Sequence, residues 1–129
     1  MNADERRSEL NAITERIIGC AYIVANQLGT GFLEKIYENA LTIELQKAGL
    51  YVEPQKPIKV FYDGQIVGEF FADLLINQEV IVELKAQKFL EESHTAQCMN
   101  YLKATGLNIC LLINFGKPKI EIKRYVLDF

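Results

Sequence analysis

The chain has 129 residues, 50% of them hydrophobic and 24% charged, which fits a single compact domain over residues 1–129 and excludes a disordered chain. No apolar run approaches the roughly 18 residues of a membrane span, and the polar start Met1-Asn2-Ala3-Asp4-Glu5-Arg6-Arg7 is unlike a signal peptide, so no membrane partner is expected. A formal net charge of −3 excludes a protein that coats nucleic acid by charge alone, but not an enzyme that touches it at one metal-bearing site.

From about Ser8 to Leu28, Leu10, Ile13, Ile17, Ala21, Val24 and Leu28 recur every three or four positions and predict an amphipathic helix, with residues 1–9 as a flexible N-terminus. Gly29-Thr30-Gly31 breaks the pattern. Thr30 is then the expected N-cap of a second helix running to Ala48, and Gly49 its C-terminal stop. The period changes after that. Pro54 and Pro57 admit only an edge or irregular strand, and Ile58, Val60 and Tyr62 alternate up to a turn at Asp63-Gly64. Residues 66–76 and 79–85 read as two further strands around Asn77-Gln78. Leu90 to Thr105 has helical spacing and a stop at Gly106. Leu107 to Ile113 is almost wholly apolar, as a strand covered on both faces must be. A turn at Phe115-Gly116-Lys117-Pro118 leads to a last strand over 119–127. The predicted order is α-α-β-β-β-α-β-β, a mixed sheet with helices packed on it.

Cys20, Cys98 and Cys110 are far apart, lack zinc-ligand spacing and sit among apolar residues, which suits buried thiols in a reducing compartment, the cytoplasm. Charge is uneven along the chain: residues 1–102 carry 15 acidic and 9 basic side chains, residues 103–129 carry 2 and 5. The basic end is either a phosphate-facing surface or a set of lysines that blunts an edge strand.

Chemistry is concentrated in two neighbouring strands. Glu83 and Lys85 leave the same face of one strand, and Asp73 lies on the strand before it. Two converging carboxylates make a hard oxygen site for Mg²⁺ or Mn²⁺, and a lysine beside them can position a water or offset charge on a phosphate. The Glu-x-Lys pattern alone carries little weight, because chance supplies it in about one of every two chains of this size. A second copy, Glu121-Ile122-Lys123, is present. Only the first follows an aspartate-bearing strand inside apolar flanks, where a charge is costly unless paired or liganded. A structural Asp–Lys or Glu–Lys pair remains the plain alternative. Register separates the cases. A three-residue loop, Asn77-Gln78-Glu79, pairs Ile76 with Val80 and sets Asp73 opposite Glu83. A two-residue loop sets Asp73 opposite Val82, pointing away unless a bulge intervenes.

Gly31, Glu34 and Tyr37 share a helix face, although Glu34 in the first turn is equally explained by the helix dipole. His94, Gln97 and Tyr101 form a polar stripe on the third helix beside the apolar one; solvent exposure is its plain reading, although the stripe lacks the charged residues of a solvated face.

Gly31-x-x-Glu34-x-x-Tyr37, Phe71-Ala72-Asp73-Leu74-Leu75, Val82-Glu83-Leu84-Lys85-Ala86, His94-x-x-Gln97-x-x-x-Tyr101-Leu102 and Leu112-Ile113-Asn114-Phe115-Gly116 occur in this order. Together they resemble the GxxExxY proteins, a branch of the PD-(D/E)XK nuclease-like superfamily, from about residue 10 to the C-terminus. The resemblance implies a restriction-endonuclease-like α/β fold and Mg²⁺- or Mn²⁺-dependent hydrolysis of phosphodiester bonds in DNA or RNA. It implies metal binding by Asp73, Glu83 and the Leu84 carbonyl, a water aligned by Lys85, and Glu34 as a further carboxylate. Gln97 and Tyr101, with His94 and Tyr37, would support the site or contact substrate. Relatives commonly carry a basic residue where Phe71 stands. Fold and metal site can outlive catalysis, so the other reading is a catalytically silent, nuclease-like module that binds a protein or nucleic acid partner. The first helix, outside the minimal nuclease core, is a candidate homodimer surface.

Overall fold

The computed structural model describes residues 2–129. Two helices come first, α1 (Ala3–Leu28) and α2 (Glu34–Lys47), then strands β1 (Val52–Tyr62), β2 (Gln65–Ile76) and β3 (Val80–Lys85). Helix α3 (Glu92–Thr105) crosses over to β4 (Ile109–Asn114), and β5 (Glu121–Val126) ends the chain. The strands form one mixed sheet in the order β1-β2-β3-β4-β5, with β3 and β4 parallel and every other pair antiparallel. This α/β architecture and element order are those the sequence predicts.

Helix α1 begins at Ala3, inside the stretch expected to be flexible. The Asn2 side chain caps it by accepting from the Glu5 N–H at 2.8 Å, and Asp4 and Glu5 sit where the helix dipole favours negative charge. Arg6 then pairs with Glu79 at 3.0 Å and bonds Asn108, which fastens this end to the sheet. Helix α2 differs from expectation at its start. Thr30 is not its cap: the N-cap is Leu33, with no side-chain cap bond. Gly31 holds φ +106, and the Phe32 N–H donates to the Tyr37 hydroxyl, so the chain is committed to a loop until Leu33. At the other end Gly49 (φ +82) closes the helix as expected, its N–H donating to Gln46 and that of Leu50 to Leu45.

One apolar layer lies between α1, α2 and the sheet, built from Leu10, Ile17, Val24, Leu41 and Leu45 against Leu74, Val82, Leu84, Leu111 and Ile113. A smaller layer lies under α3, with Cys98, Tyr101 and Leu102 against Ile81, Cys110 and Leu112. Strand β4 is buried at every position, as its apolar run requires. Each such large aliphatic side chain contributes roughly 1.5–3 kcal/mol by leaving water. The three cysteines are buried and unpaired. At the far edge, Lys123 and Arg124 of β5 are exposed, as both readings of the basic end require. Among the described residues no helix is long and apolar enough to cross a membrane.

Candidate active site

The hairpin between β2 and β3 has the three-residue loop. Ile76 pairs with Val80, Leu75 with Ile81 and Leu74 with Val82, so Asp73 and Glu83 are the next positions on the two strands. Asn77 (φ +51) and Gln78 (φ +58) supply the left-handed residues of the loop, and Asn77 also accepts from the Tyr51 N–H at 2.8 Å. The ladder ends at Leu74, and beyond it β1 and β2 continue as a two-stranded ribbon.

The side-chain alternation of β2 breaks at this place. Leu74 and Ile76 pack in the α1/α2 layer, whereas Phe70, Ala72 and Leu75 pack in the α3 layer. Ala72 and Leu75 are three apart, so regular pleating cannot put both on one face. Gln55, between the pairs Pro54–Leu74 and Lys56–Ala72, takes φ +50. The face switch thus falls on Gln55 and Asp73, at the end of the β2–β3 ladder.

Asp73 and Glu83 are tied reciprocally. The Asp73 N–H donates to Glu83 Oε1 at 3.0 Å, and the Leu84 N–H donates to Asp73 Oδ2 at 2.8 Å. Each carboxylate so fixes one oxygen on the other strand's backbone. Glu83 is only 2% exposed. Burial, then the neighbouring Asp73 charge, push its carboxyl up to about 9. Among the described residues neither carboxylate has an ion-pair partner, and Lys85, half-buried on the same face two residues on, has none either.

Helix α2 reaches this group through Glu38, which is 5% exposed. Gln55 Nε2 donates to Glu38 Oε1 at 2.7 Å and stands 3.5 Å from Asp73 Oδ1, while Lys35 pairs with the other Glu38 oxygen. Glu34 lies one turn earlier on the same helix face, exposed, with no hydrogen bond or ion pair among the described residues. Glu38 is thus the α2 carboxylate that the fold connects to Asp73. Its signal is helical spacing: it lies three residues before Leu41 and seven before Leu45, on the buried stripe.

Helix α3 closes the opposite side. The polar stripe faces inward, with His94 and Tyr101 buried and Gln97 half-buried. Tyr101 stacks on Phe70 (centroids 4.3 Å apart), and Gln97 Nε2 donates to its hydroxyl at 2.7 Å. Burial first, then Glu83 and Asp73, push that hydroxyl's pKa above its ordinary value, so Tyr101 lies in the field of the carboxylates. His94 does something else. Its Nδ1 accepts from the Glu91 N–H at 3.1 Å, as the third residue of a capping box. Tyr37 also acts within the scaffold: its ring stacks on Phe115 at 4.6 Å and its hydroxyl donates to the Gly29 carbonyl at 2.7 Å.

The strand end that carries Lys85 is clamped by Asn114, its partner on β4. Asn114 is fully buried. Its Nδ2 donates to the Gln87 carbonyl at 2.8 Å, and its Oδ1 accepts from the N–H groups of Gln87 and Gly116, each at 3.0 Å. A Cβ on Gly116 would lie 2.2 Å from the Gln87 carbonyl oxygen, so only glycine fits the close approach.

Among the described residues no three His, Cys, Asp or Glu side chains converge as a complete metal cage. The donor set still fits a hard divalent ion. Mg²⁺ is commonly held by one or two carboxylates together with waters and substrate phosphates. Here two carboxylates in contact leave Asp73 Oδ1 and Glu83 Oε2 outside the reciprocal bonds, with no cation opposite.

A family profile described as the PD-(D/E)XK nuclease superfamily matches residues 11–125. Among solved structures the chain is similar to one titled "Crystal structure of SSO0001", with a TM-score of 0.57, 15% identity, and coverage of 74% of this chain and 51% of that one. This chain therefore spans about half the length of that protein, and the likeness is one of fold. No curated protein matches the chain.

Proposed function

The chain belongs to the PD-(D/E)XK nuclease superfamily, and from that premise we propose that it hydrolyses phosphodiester bonds of DNA or RNA with a bound Mg²⁺ or Mn²⁺ ion. The observation that carries the proposal is the Asp73–Glu83 pair, two reciprocally fixed carboxylates, one deeply buried and neither neutralised by a cation. An uncompensated pair of this kind is costly unless a proton or a metal occupies it.

Asp73, Glu83 and the Leu84 carbonyl would hold the ion. When bound, it supplies Lewis-acid polarisation of the phosphate and an easier deprotonation of water. Lys85, on the same face as Glu83, orients the attacking water and offsets negative charge that develops on the phosphate. Gln55 and Glu38 restrain Asp73 from the α2 side, with the exposed Glu34 one turn away as a further carboxylate. Gln97 and Tyr101 form the wall under α3. Three buried, unpaired cysteines suit a reducing, cytoplasmic setting.

The test is incubation of the purified protein with single- and double-stranded DNA and RNA in the presence of Mg²⁺ or Mn²⁺. Cleavage that requires the ion and disappears in Asp73→Ala and Lys85→Ala is expected. Activity that survives both substitutions contradicts the assignment. Metal binding without cleavage of any substrate leaves a nuclease-like binding module instead.

A further inference from the structure

The segment after β3 carries a feature that the proposed chemistry does not use. Phe89, four residues beyond Lys85, is 69% exposed, a large aromatic ring left in water close in sequence to the carboxylate site. The Lys117 ammonium stands 5.9 Å from the ring centroid and 4.0 Å from Glu121 Oε2. The backbone leading to each residue is held in place. Asn114 grips Gln87 through both its N–H and its carbonyl, Gly116 presses against the Gln87 backbone, and the Phe115 N–H donates to the Lys85 carbonyl at 2.8 Å. The Asn114-Phe115-Gly116 motif therefore fixes the strand end bearing Lys85, the segment leading to Phe89 and the loop leading to Lys117 as one unit. That unit lies at the carboxyl ends of the parallel strands β3 and β4, where α/β sheets bind their ligands.

Resting on the nuclease reading, we infer that Phe89 and Lys117 form a substrate subsite for single-stranded nucleic acid, in which Phe89 stacks an unpaired base and Lys117 meets a neighbouring phosphate. Two considerations favour a single strand over a duplex. One is that a free aromatic face can stack only on a base whose own face is open, and stacking between neighbouring pairs within a duplex covers it. The other is that a net charge of −3 gives no general attraction to a duplex backbone, whereas one stacking contact plus one or two cations suits a flexible strand.

The test measures binding of labelled single strands of roughly 16 nucleotides, DNA and RNA, and of the matching DNA duplex, with Ca²⁺ in place of Mg²⁺ so that binding is read without turnover. Wild type, Phe89→Ala, Phe89→Trp and Lys117→Ala are compared over a salt series, with melting temperatures recorded. The expected result is a roughly tenfold weaker single-strand affinity in Phe89→Ala, near-wild-type affinity in Phe89→Trp and unchanged melting temperatures. Lys117→Ala is expected to lower the salt dependence by about one counterion. Single-strand affinity unaffected by Phe89→Ala, or a wild type that prefers the duplex, overturns the subsite. Metal-dependent cleavage that is lost in Asp73→Ala leaves the nuclease reading standing in that case. No binding to any nucleic acid, together with no cleavage, overturns both.

Discussion

Glu83-Leu84-Lys85 on β3 and Glu121-Ile122-Lys123 on β5 are two copies of one pattern, and β4 registers them against each other. Leu112 lies opposite both Glu83 and Lys123, and Asn114 lies opposite both Lys85 and Glu121. Their surroundings differ in every respect that governs chemistry. Glu83 is buried on an interior strand beneath α3, with a second carboxylate as its nearest charge. Glu121 is on the edge strand, accepts from Asn114 at 3.4 Å and faces Lys117 at 4.0 Å. The tripeptide has no chemistry of its own. A carboxylate becomes a metal-site candidate when burial and a like-charged neighbour leave its charge without a partner, and the half-buried, cation-facing copy two strands away is an internal control.

The largest contrast between the copies is expected in turnover. Lys85→Ala should lower nucleic acid cleavage by about a hundredfold or more, as does loss of one charge-stabilising donor elsewhere, whereas Lys123→Ala should leave the rate within a small factor. Equal effects in a cleavage assay would erase the distinction. Next is the residue that both copies share as a strand partner. Asn114→Ala strips hydrogen bonds from three backbone groups around Gln87 and Gly116, and urea unfolding should report a loss of about 3 kcal/mol.

The pH response sharpens the comparison further. Glu83 titrates near 9 in the folded protein against an ordinary 4.5. Between those values the folded protein holds a proton that the unfolded chain has released, so this group's stabilisation is complete below about 4.5 and fades as pH rises toward 9. Glu83→Gln should flatten that decline and melt higher than wild type at alkaline pH, while Glu121→Gln should keep the wild-type slope. The smallest effect concerns the scaffold. Tyr37→Phe loses the hydroxyl bonds to Gly29 and Phe32 but keeps the stack on Phe115, for a cost of about 1 kcal/mol in thermal or urea unfolding.

Much of the frame was legible because it rests on local rules. The Asp63-Gly64 turn, both residues at positive φ, and the apolar run of β4 are written in residue type. Counting residues around Asn77-Gln78 narrows the partner of Asp73 to Glu83 or Val82, and the observed pairing of Ile76 with Val80 decides between them. What was not legible depends on tertiary contacts. Gln55 is a poor candidate for positive φ, so nothing in its identity marks the face switch. Thr30 has the chemistry of an N-cap, yet the Tyr37 hydroxyl holds the loop open past it. His94 enters the site only through the family resemblance, and in the fold it is occupied in a helix cap. Glu38 and Asn114 carried weaker marks, a carboxylate on a buried helical stripe and a lone amide at the end of an apolar strand beside a glycine.

The central claim is that the Asp73–Glu83 pair, and not the Glu121 copy on β5, is where a divalent ion binds. Calorimetric titration of Mn²⁺ into wild type, Asp73→Asn and Glu121→Gln tests it without recourse to activity. Binding in wild type and Glu121→Gln that is at least about tenfold weaker in Asp73→Asn is the predicted result. Equal binding in Asp73→Asn, or binding lost in Glu121→Gln, would contradict it.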